Sequence, residues 1–489
     1  MFPAPDINAD SEVPLYKQVF QQLKDSIHSG RLQKGSRLPA TRELAGLLGL
    51  NRTTISAAYE LLESEGLISG QVGRGSFVTG AMDQARPGLD WRALLAPSVW
   101  PAPPSQASVS SDSISFAASR PSELLFPIEE FRQCCLEVVG GAGIAAILQL
   151  GSPGGYGPLR QYLIAEARRS GVMSAEDDLI VTSGCQQALD LLQRSLVRPG
   201  DKVAVEDPVY PGVKNLFLRA GAQVAGVRMG RDGIDFDDLE RVLETEKPKL
   251  LVVTPNFQNP TGATLPVEAR RQLLERVRAA GVALIENDTY GELRYEGAAI
   301  PAAKSADTIL LRSFSKIAFP GLRVGWAIGP RAVIARMTEA KQLSDLHSDQ
   351  LSQAVLLRFA ESGRLAAHRQ RALEAGAERL KATLSACARY LPAGSTYTRP
   401  QGGMNLWVRL PEPLDAGELL VRAQRENVTY LPGRYFTVSR QDPGGLRLSF
   451  AGLTPEKIEA GIAILGGIFS AELERTGASG RLEPAPALV

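Results

Sequence analysis

Lys316 sits in the stretch SFSKIAFPGLRVGW, which runs from Ser313 to Trp326. A primary amine between the hydroxyls of Ser313 and Ser315, ahead of Arg323, has the parts to form a Schiff base with an aldehyde cofactor. Other segments offer complementary groups. In VTSGCQQALDLL a strand end meets a helix start, and the backbone N–H groups of Gly184, Cys185 and Gln186 are placed to face an anion. EDPVYPG puts the flat ring of Tyr210 just after a strand, where it can lie on another ring; read alone, a core tyrosine fits as well. TPNFQNPTG ends a strand with the amide of Asn259. IENDTYGELRY ends another with Asn287, Asp288 and Tyr290, and GLRLSFA carries Arg447 in a short strand. No single segment decides. Together they hold what pyridoxal 5′-phosphate (PLP) needs: an amine, a cradle of hydroxyl, arginine and helix N-terminus for phosphate, an aromatic cover, and polar groups for the ring nitrogen and phenolic oxygen.

Such segments need a scaffold that gathers strand ends. From Ile114 to about Glu474, short β-rich runs (KVAVED, LLVVTP, VALIEND, TILLRSFS) alternate with helical stretches. That pattern predicts an α/β domain with a mainly parallel sheet, which binds ligands at the C-terminal ends of its strands. The chain has 489 residues, 44% hydrophobic and 22% charged, with net charge +1. It is long enough for two or three domains, and its overall charge carries no nucleic-acid signal. Cys134, Cys135, Cys185 and Cys387 lack metal-ligand spacing, and the adjacent pair makes poor disulfide partners, which fits a reducing cytoplasm. With three histidines, no metal site is expected. Neither a signal peptide nor a membrane span is expected.

The N-terminal part follows another plan. PLYKQVFQQLKDSIHSG has Leu15, Val19, Leu23 and Ile27 about one turn apart, an amphipathic helix. Two shorter helices follow, the first with Thr41 as expected N-cap, the second capped by Asn51, joined through Gly49. This is a helix-turn-helix whose second helix begins with Arg52, Thr53 and Thr54, facing phosphates and base edges. LISGQVGRGSFV reads as a wing with Arg74 and Gly75 at its tip, suited to a minor groove. Basic residues dominate locally: Arg31, Lys34, Arg37, Arg42 and Arg52 against Glu43. The expected domains are a DNA-binding head at 12–80, a Pro/Ser/Ala-rich linker at 81–113, a body at 114–475 and a disordered tail at 476–489.

The segment GRLQKGSRLPATRELAGLLGLNRTTISAAYELLESEGLISGQVGRGSFV resembles the winged helix-turn-helix of the GntR family of bacterial regulators. The resemblance implies DNA contacts by Arg37, Arg42, Arg52, Thr54 and the Gly73-Arg74-Gly75 tip. The later segments resemble, in order, the fold-type I, class I aminotransferase family, which implies a small C-terminal α+β subdomain beside the main sheet. By motif, Lys316 is then the Schiff-base lysine. Ser313 and Arg323 contact phosphate with Gly184, Cys185 and Gln186, Tyr210 lies on the ring, and Asn259 and Tyr290 approach its phenolic oxygen. Arg447 resembles the arginine that holds a substrate carboxylate, and Tyr156 lies in a stretch similar to the family's early glycine-tyrosine segment. One position departs. The family places Asp three residues before the tyrosine, paired with the protonated ring nitrogen; here that residue is Asn287. Asp288, next to it, takes the role if the strand end shifts by one.

A GntR-type head on an aminotransferase-like body is the layout of the MocR/GabR subfamily. It implies a homodimer, arranged head to tail, that binds operator DNA and responds to PLP, an amine or an amino acid. The GABA-responsive branch carries a second arginine two residues after the stacking tyrosine; Gly212 stands there instead. The alternative is a working aminotransferase that carries a DNA-binding head.

Overall fold

In the computed structural model of the protein, residues 5, 7–8, 11, 13–71, 75–79, 89, 94–95, 113–230 and 233–479 are described. The chain divides into two compact units, Met1–Ser98 and Val99–Val489. Most of the expected linker lies outside the described residues, as do Gly73 and Arg74 of the wing tip.

In the first unit, α1 (Leu15–His28) and α2 (Thr41–Leu48) both pack on α3 (Arg52–Ser64), and β1 (Ile68–Gln71) pairs antiparallel with β2 (Gly75–Val78). Val19, Leu23 and Ile27 meet Leu44, Ile55, Tyr59 and Leu62 in one core, as their helical spacing requires. Asn51 caps α3, its Oδ1 accepting the Thr53 N–H at 3.3 Å. Thr41 is not the cap of α2. Ala40 holds that position with no side chain to cap the first turn, and the Glu43 carboxylate reaches back to accept the Ala40 N–H at 3.4 Å.

The second unit is built on an eight-stranded sheet. Its strands are β3 (Asp177–Thr182), β4 (Lys202–Asp207), β5 (Gln223–Gly230), β6 (Gly233–Ile234), β7 (Leu250–Val253), β8 (Ala283–Asn287), β9 (Thr308–Ser313) and β10 (Gly325–Pro330). They lie in the order β3-β10-β9-β8-β7-β4-β5-β6. β10 and β6 pair antiparallel with their neighbours; the other pairings are parallel. Both faces are covered. Val203, Val205, Val252, Ile285 and Leu311 enter one core, and the alternate residues Ala204, Leu251, Val253 and Leu284 enter another. Strands buried on both sides read as continuous apolar runs, which is why the β-rich segments stood out in the sequence.

A smaller antiparallel sheet follows, with Thr396–Tyr397, β11 (Asn405–Arg409), β13 (Gly445–Ser449) and β12 (Leu431–Pro432) in that order. The closing helix runs from Pro455 to Ser479, into the segment expected to be a tail from 476. The Thr476 hydroxyl donates back to the Glu472 carbonyl, and Glu472 is bracketed by Arg422 and Arg475, which extends the last turns.

Glu206 shapes one rim of the main sheet. Its carboxylate accepts the Thr254 N–H at 2.9 Å and Gln258 Nε2 at 3.1 Å, while Gln258 Oε1 accepts from the N–H and hydroxyl of Thr261. This buried network folds the turn that carries Asn259. Burial pushes the Glu206 carboxyl up to about 7, and the two donors only partly offset it. A raised carboxyl pKa contributes stability that is complete in acid and is lost between the ordinary carboxylate range and about pH 7. Glu206→Gln is expected to shrink the fall in unfolding free energy between about pH 4.5 and pH 8 by on the order of 3 kcal/mol, measured by denaturant titration at both pH values.

Candidate ligand site and nucleic-acid interface

The C-terminal ends of the parallel strands converge on one polar cleft. After β3 the chain turns through Gly184 into α5, a helix at Cys185–Leu196; α4 is the earlier helix Gly157–Arg169. Gly184 has φ +86, and an added Cβ would stand 2.5 Å from Arg323 Nη2. Arg323 Nη1 donates to the Ser315 hydroxyl at 3.3 Å and Nη2 to the Ser183 carbonyl at 3.2 Å. The first N–H groups of α5, which have no partner within the helix, thus face a guanidinium and a hydroxyl: an anion cradle. Burial raises the Cys185 thiol to about 12, so it adds no competing negative charge. Gln186 contributes only its backbone N–H there; its side chain is exposed, Nε2 donating to the Gly212 carbonyl. Ser313 is committed to its own turn: its hydroxyl donates to the Val324 carbonyl and accepts the Ser315 N–H.

Lys316 Nζ lies 5.6 Å above the centre of the Tyr290 ring and donates to the Ser119 carbonyl at 2.5 Å. The buried Tyr290 hydroxyl accepts from Asn259 Nδ2 at 3.2 Å and lies 3.4 Å from Ser119 Oγ. Burial alone would raise its pKa; Lys316, the Ser119 hydrogen bond, Arg447 and Asn259 outweigh that and lower it. Arg447, in β13, is 3% exposed. Nη1 donates to Asn259 Oδ1 at 2.9 Å and Nη2 to the Ala117 carbonyl, while Nε is buried without a partner. Burial brings its pKa down to about 10, with Tyr290 and Tyr210 acting the other way, so it stays charged at neutral pH.

Asn287 and Asp288 separate. Asp288 accepts from Asn256 Nδ2 at 2.8 Å and from Arg312 Nε and Nη2 at 3.0 and 2.9 Å. Asn287 accepts the Thr289 hydroxyl at 2.7 Å, and that hydroxyl lies 3.9 Å from Cys185 Sγ, at the cradle. The neutral amide thus reaches Cys185 through Thr289, and the Asp288 carboxylate is paired with Arg312. Tyr210 is the N-cap of α6 (Pro211–Arg219) and remains 42% exposed. A Cβ at Gly212 would stand 2.4 Å from the Tyr210 ring and 2.8 Å from Gln186 Oε1, so an arginine there would displace both. Tyr156, half-buried, caps α4, its N–H donating to Gln353 Oε1 at 2.8 Å.

In the first unit Arg37, Arg42, Arg52 and Thr53 are exposed and Thr54 half-buried at the start of α3. The Arg37 side chain lies against Gly75, where an added Cβ would be 3.0 Å from its Nε. Arg74 is outside the described residues. Motif reading did not single out Ser119, Gln353, Asn256 or Arg312. Their contacts join distant segments, and no local pattern announces them.

Residues 15–78 match the gntR family of bacterial regulatory proteins, and residues 146–465 match the class I and II aminotransferases. A probable rhizopine catabolism regulatory protein, MocR, of Rhizobium meliloti is 30% identical over 96% of this chain and 97% of its own. The chain belongs to the MocR subfamily of GntR-family regulators. A 2-aminoadipate transaminase of Thermus thermophilus is 37% identical, but over 72% of this chain and 89% of its own. A multiple substrate aminotransferase of Thermococcus profundus superposes with a TM-score of 0.75 at 30% identity, covering 79% of this chain and all of its own.

The cofactor of this family is PLP, and the donor set fits it. The anion cradle needs Gly184 for its closest approach, Lys316 offers an amine beside an acidified phenol, and Arg447 keeps an orphaned donor. Gly184→Ala forces both a left-side φ and a clash with Arg323. It is expected to weaken PLP binding by about tenfold or more, read from cofactor retained after dialysis, in a body that still folds but melts lower.

Proposed function

We propose that the protein is a transcription regulator whose body uses PLP to sense an amine or amino acid, or PLP itself. The observation that carries this reading is coverage. The transaminase relative matches the body alone, whereas the regulator matches head and body together. The departure at Asn287 favours it further.

When bound, the cofactor supplies an aldehyde that condenses reversibly with primary amines and a ring that accepts electrons. On this reading Arg323, Ser315 and the start of α5 hold its phosphate, with Ser313 bracing the turn. Tyr210 covers the ring, and Tyr290 with Asn259 holds the phenolic oxygen. Lys316 is the amine that tethers the cofactor. Arg447 binds a ligand carboxylate through its free Nε, and Tyr156 borders the ligand. Asn287 faces the ring nitrogen with an amide that carries no charge, so it cannot hold a proton there as a carboxylate does. Binding of amines is retained while proton removal from the bound amine is slowed. Two copies, head to tail, would offer two heads to two DNA half-sites.

Two measurements test this. Arg52→Ala is expected to weaken operator binding by about 1–3 kcal/mol while PLP content stays intact; unchanged affinity would show that α3 is not the reading helix. PLP or a panel of amino acids is expected to shift operator affinity about fivefold to a hundredfold, with steady-state transamination close to background and Asn287→Asp raising it. Ligand-insensitive DNA binding together with many turnovers per minute would establish the enzyme reading instead.

A further inference from the structure

Phe436 lies under Arg447: the guanidinium carbon is 5.1 Å from the ring centre, and Trp407 meets the same ring edge-on at 5.7 Å. The ring face attracts the cation and limits its movement on that side. Phe436 belongs to a segment fastened to the other subdomain. Its carbonyl accepts the Val209 N–H at 2.9 Å. The next carbonyl, of Thr437, accepts Lys214 Nζ at 2.5 Å. The N–H groups of Val438 and Ser439 donate to the two oxygens of Asp207, both at 2.9 Å. Ser439 Oγ accepts the Gly226 N–H at 3.3 Å, and Gly226 is needed for that fit, since a Cβ there would stand 2.8 Å from Asp207 and 3.0 Å from Ser439 Oγ.

Lys214 and Asp207 are 7% and 6% exposed. Burial lowers the Lys214 amine, and Asp207 only partly restores it. Taking both charges out of water is costly, and neither reaches the cleft. Yet every backbone group they hold lies within two or three residues of Phe436. We propose that Lys214 and Asp207 are positioning residues for ligand specificity: they fasten segment 436–439 to the end of β4, and thereby hold Phe436 and Arg447 in the geometry that selects a carboxylate. The proposal rests on the reading of Arg447 as the carboxylate-binding group.

The test uses two probes on the full-length chain freed of cofactor: N-phosphopyridoxyl-L-leucine and the same compound made from 3-methylbutylamine, which lacks the carboxylate. Both bring their own phosphopyridoxyl anchor. The wild-type protein is expected to bind the carboxylated probe about tenfold to a hundredfold more tightly. Lys214→Met is expected to reduce that preference to about threefold or less. Affinity for the amine-derived probe stays within about twofold, and Lys214→Arg recovers part of the loss. Phe436→Leu, which keeps an apolar side chain and leaves the polar ties in place, is expected to lose the same preference and decides the matter if Lys214→Met fails to fold. Full preference in Lys214→Met, or in Phe436→Leu, overturns the positioning role. Absence of any preference in the wild type overturns the reading of Arg447 on which it rests.

Discussion

The ion pair between Asp288 and Arg312 governs the business end of the body. Its carboxylate is buried with Asn256 on one oxygen and a two-pronged guanidinium on the other. Breaking such a pair by turning the carboxylate away would leave a buried charge unmatched, at a cost of several kcal/mol. The strand end therefore cannot slip by one residue. Glu286, two residues earlier and on the same side, adds to the constraint: burial first, and Asp288 second, push its carboxyl up, with Arg270 3.9 Å away acting against them. The acids of this strand end face one side. On the proposed reading, what remains for the ligand is Asn287, then the hydroxyl of Thr289 and the phenol of Tyr290.

That outcome explains which parts of the site were readable in the sequence. Lys316 with Arg323 a few residues downstream, and the glycine directly before α5, are local devices: each sits in a short segment whose residue types reveal it. The β-rich runs were readable for an equally local reason, since a parallel strand buried on both faces is apolar at every position. The choice between Asn287 and Asp288 was not readable, because it depends on Arg312 and Asn256, which approach from neighbouring strands. Ser119 is further still from legibility. It touches Lys316 and Tyr290 across long stretches of chain, and a serine among alanines carries no mark. At helix ends the error was smaller and of another kind. Thr41 looked like a cap by residue type, but the cap position falls one residue earlier, at Ala40, and Glu43 from the first turn accepts the Ala40 N–H.

The cleft also shows how one constellation serves two purposes. Holding the phosphate and ring requires fixed donors, and the cradle of Arg323, Ser315 and α5 is rigid because Gly184 admits the guanidinium at a distance no other residue allows. Selecting a ligand requires a charge that is present but not already satisfied. On the proposed reading Arg447 meets that condition: two of its nitrogens are anchored, on Asn259 and on the Ala117 carbonyl, and the third is buried without a partner. On that reading, anchoring fixes the direction of the charge, and the unsatisfied donor favours a ligand with a matching acceptor.

An enzyme and a sensor place opposite demands on such a pocket. An enzyme must strip a proton from the bound amine quickly, which calls for a ring nitrogen held positive by a carboxylate. A sensor must keep the bound amine long enough for its occupancy to bias a second equilibrium, here that of the DNA-binding head. A ligand shifts that equilibrium only by the difference in its affinity for the two states, so a complex that is consumed as it forms contributes little. On the proposed reading, replacing one charge by an amide at Asn287 slows consumption and leaves capture intact, because capture depends on Lys316 and Arg447 rather than on the ring nitrogen. The same fold then moves from catalysis to detection without any change in how it holds its cofactor.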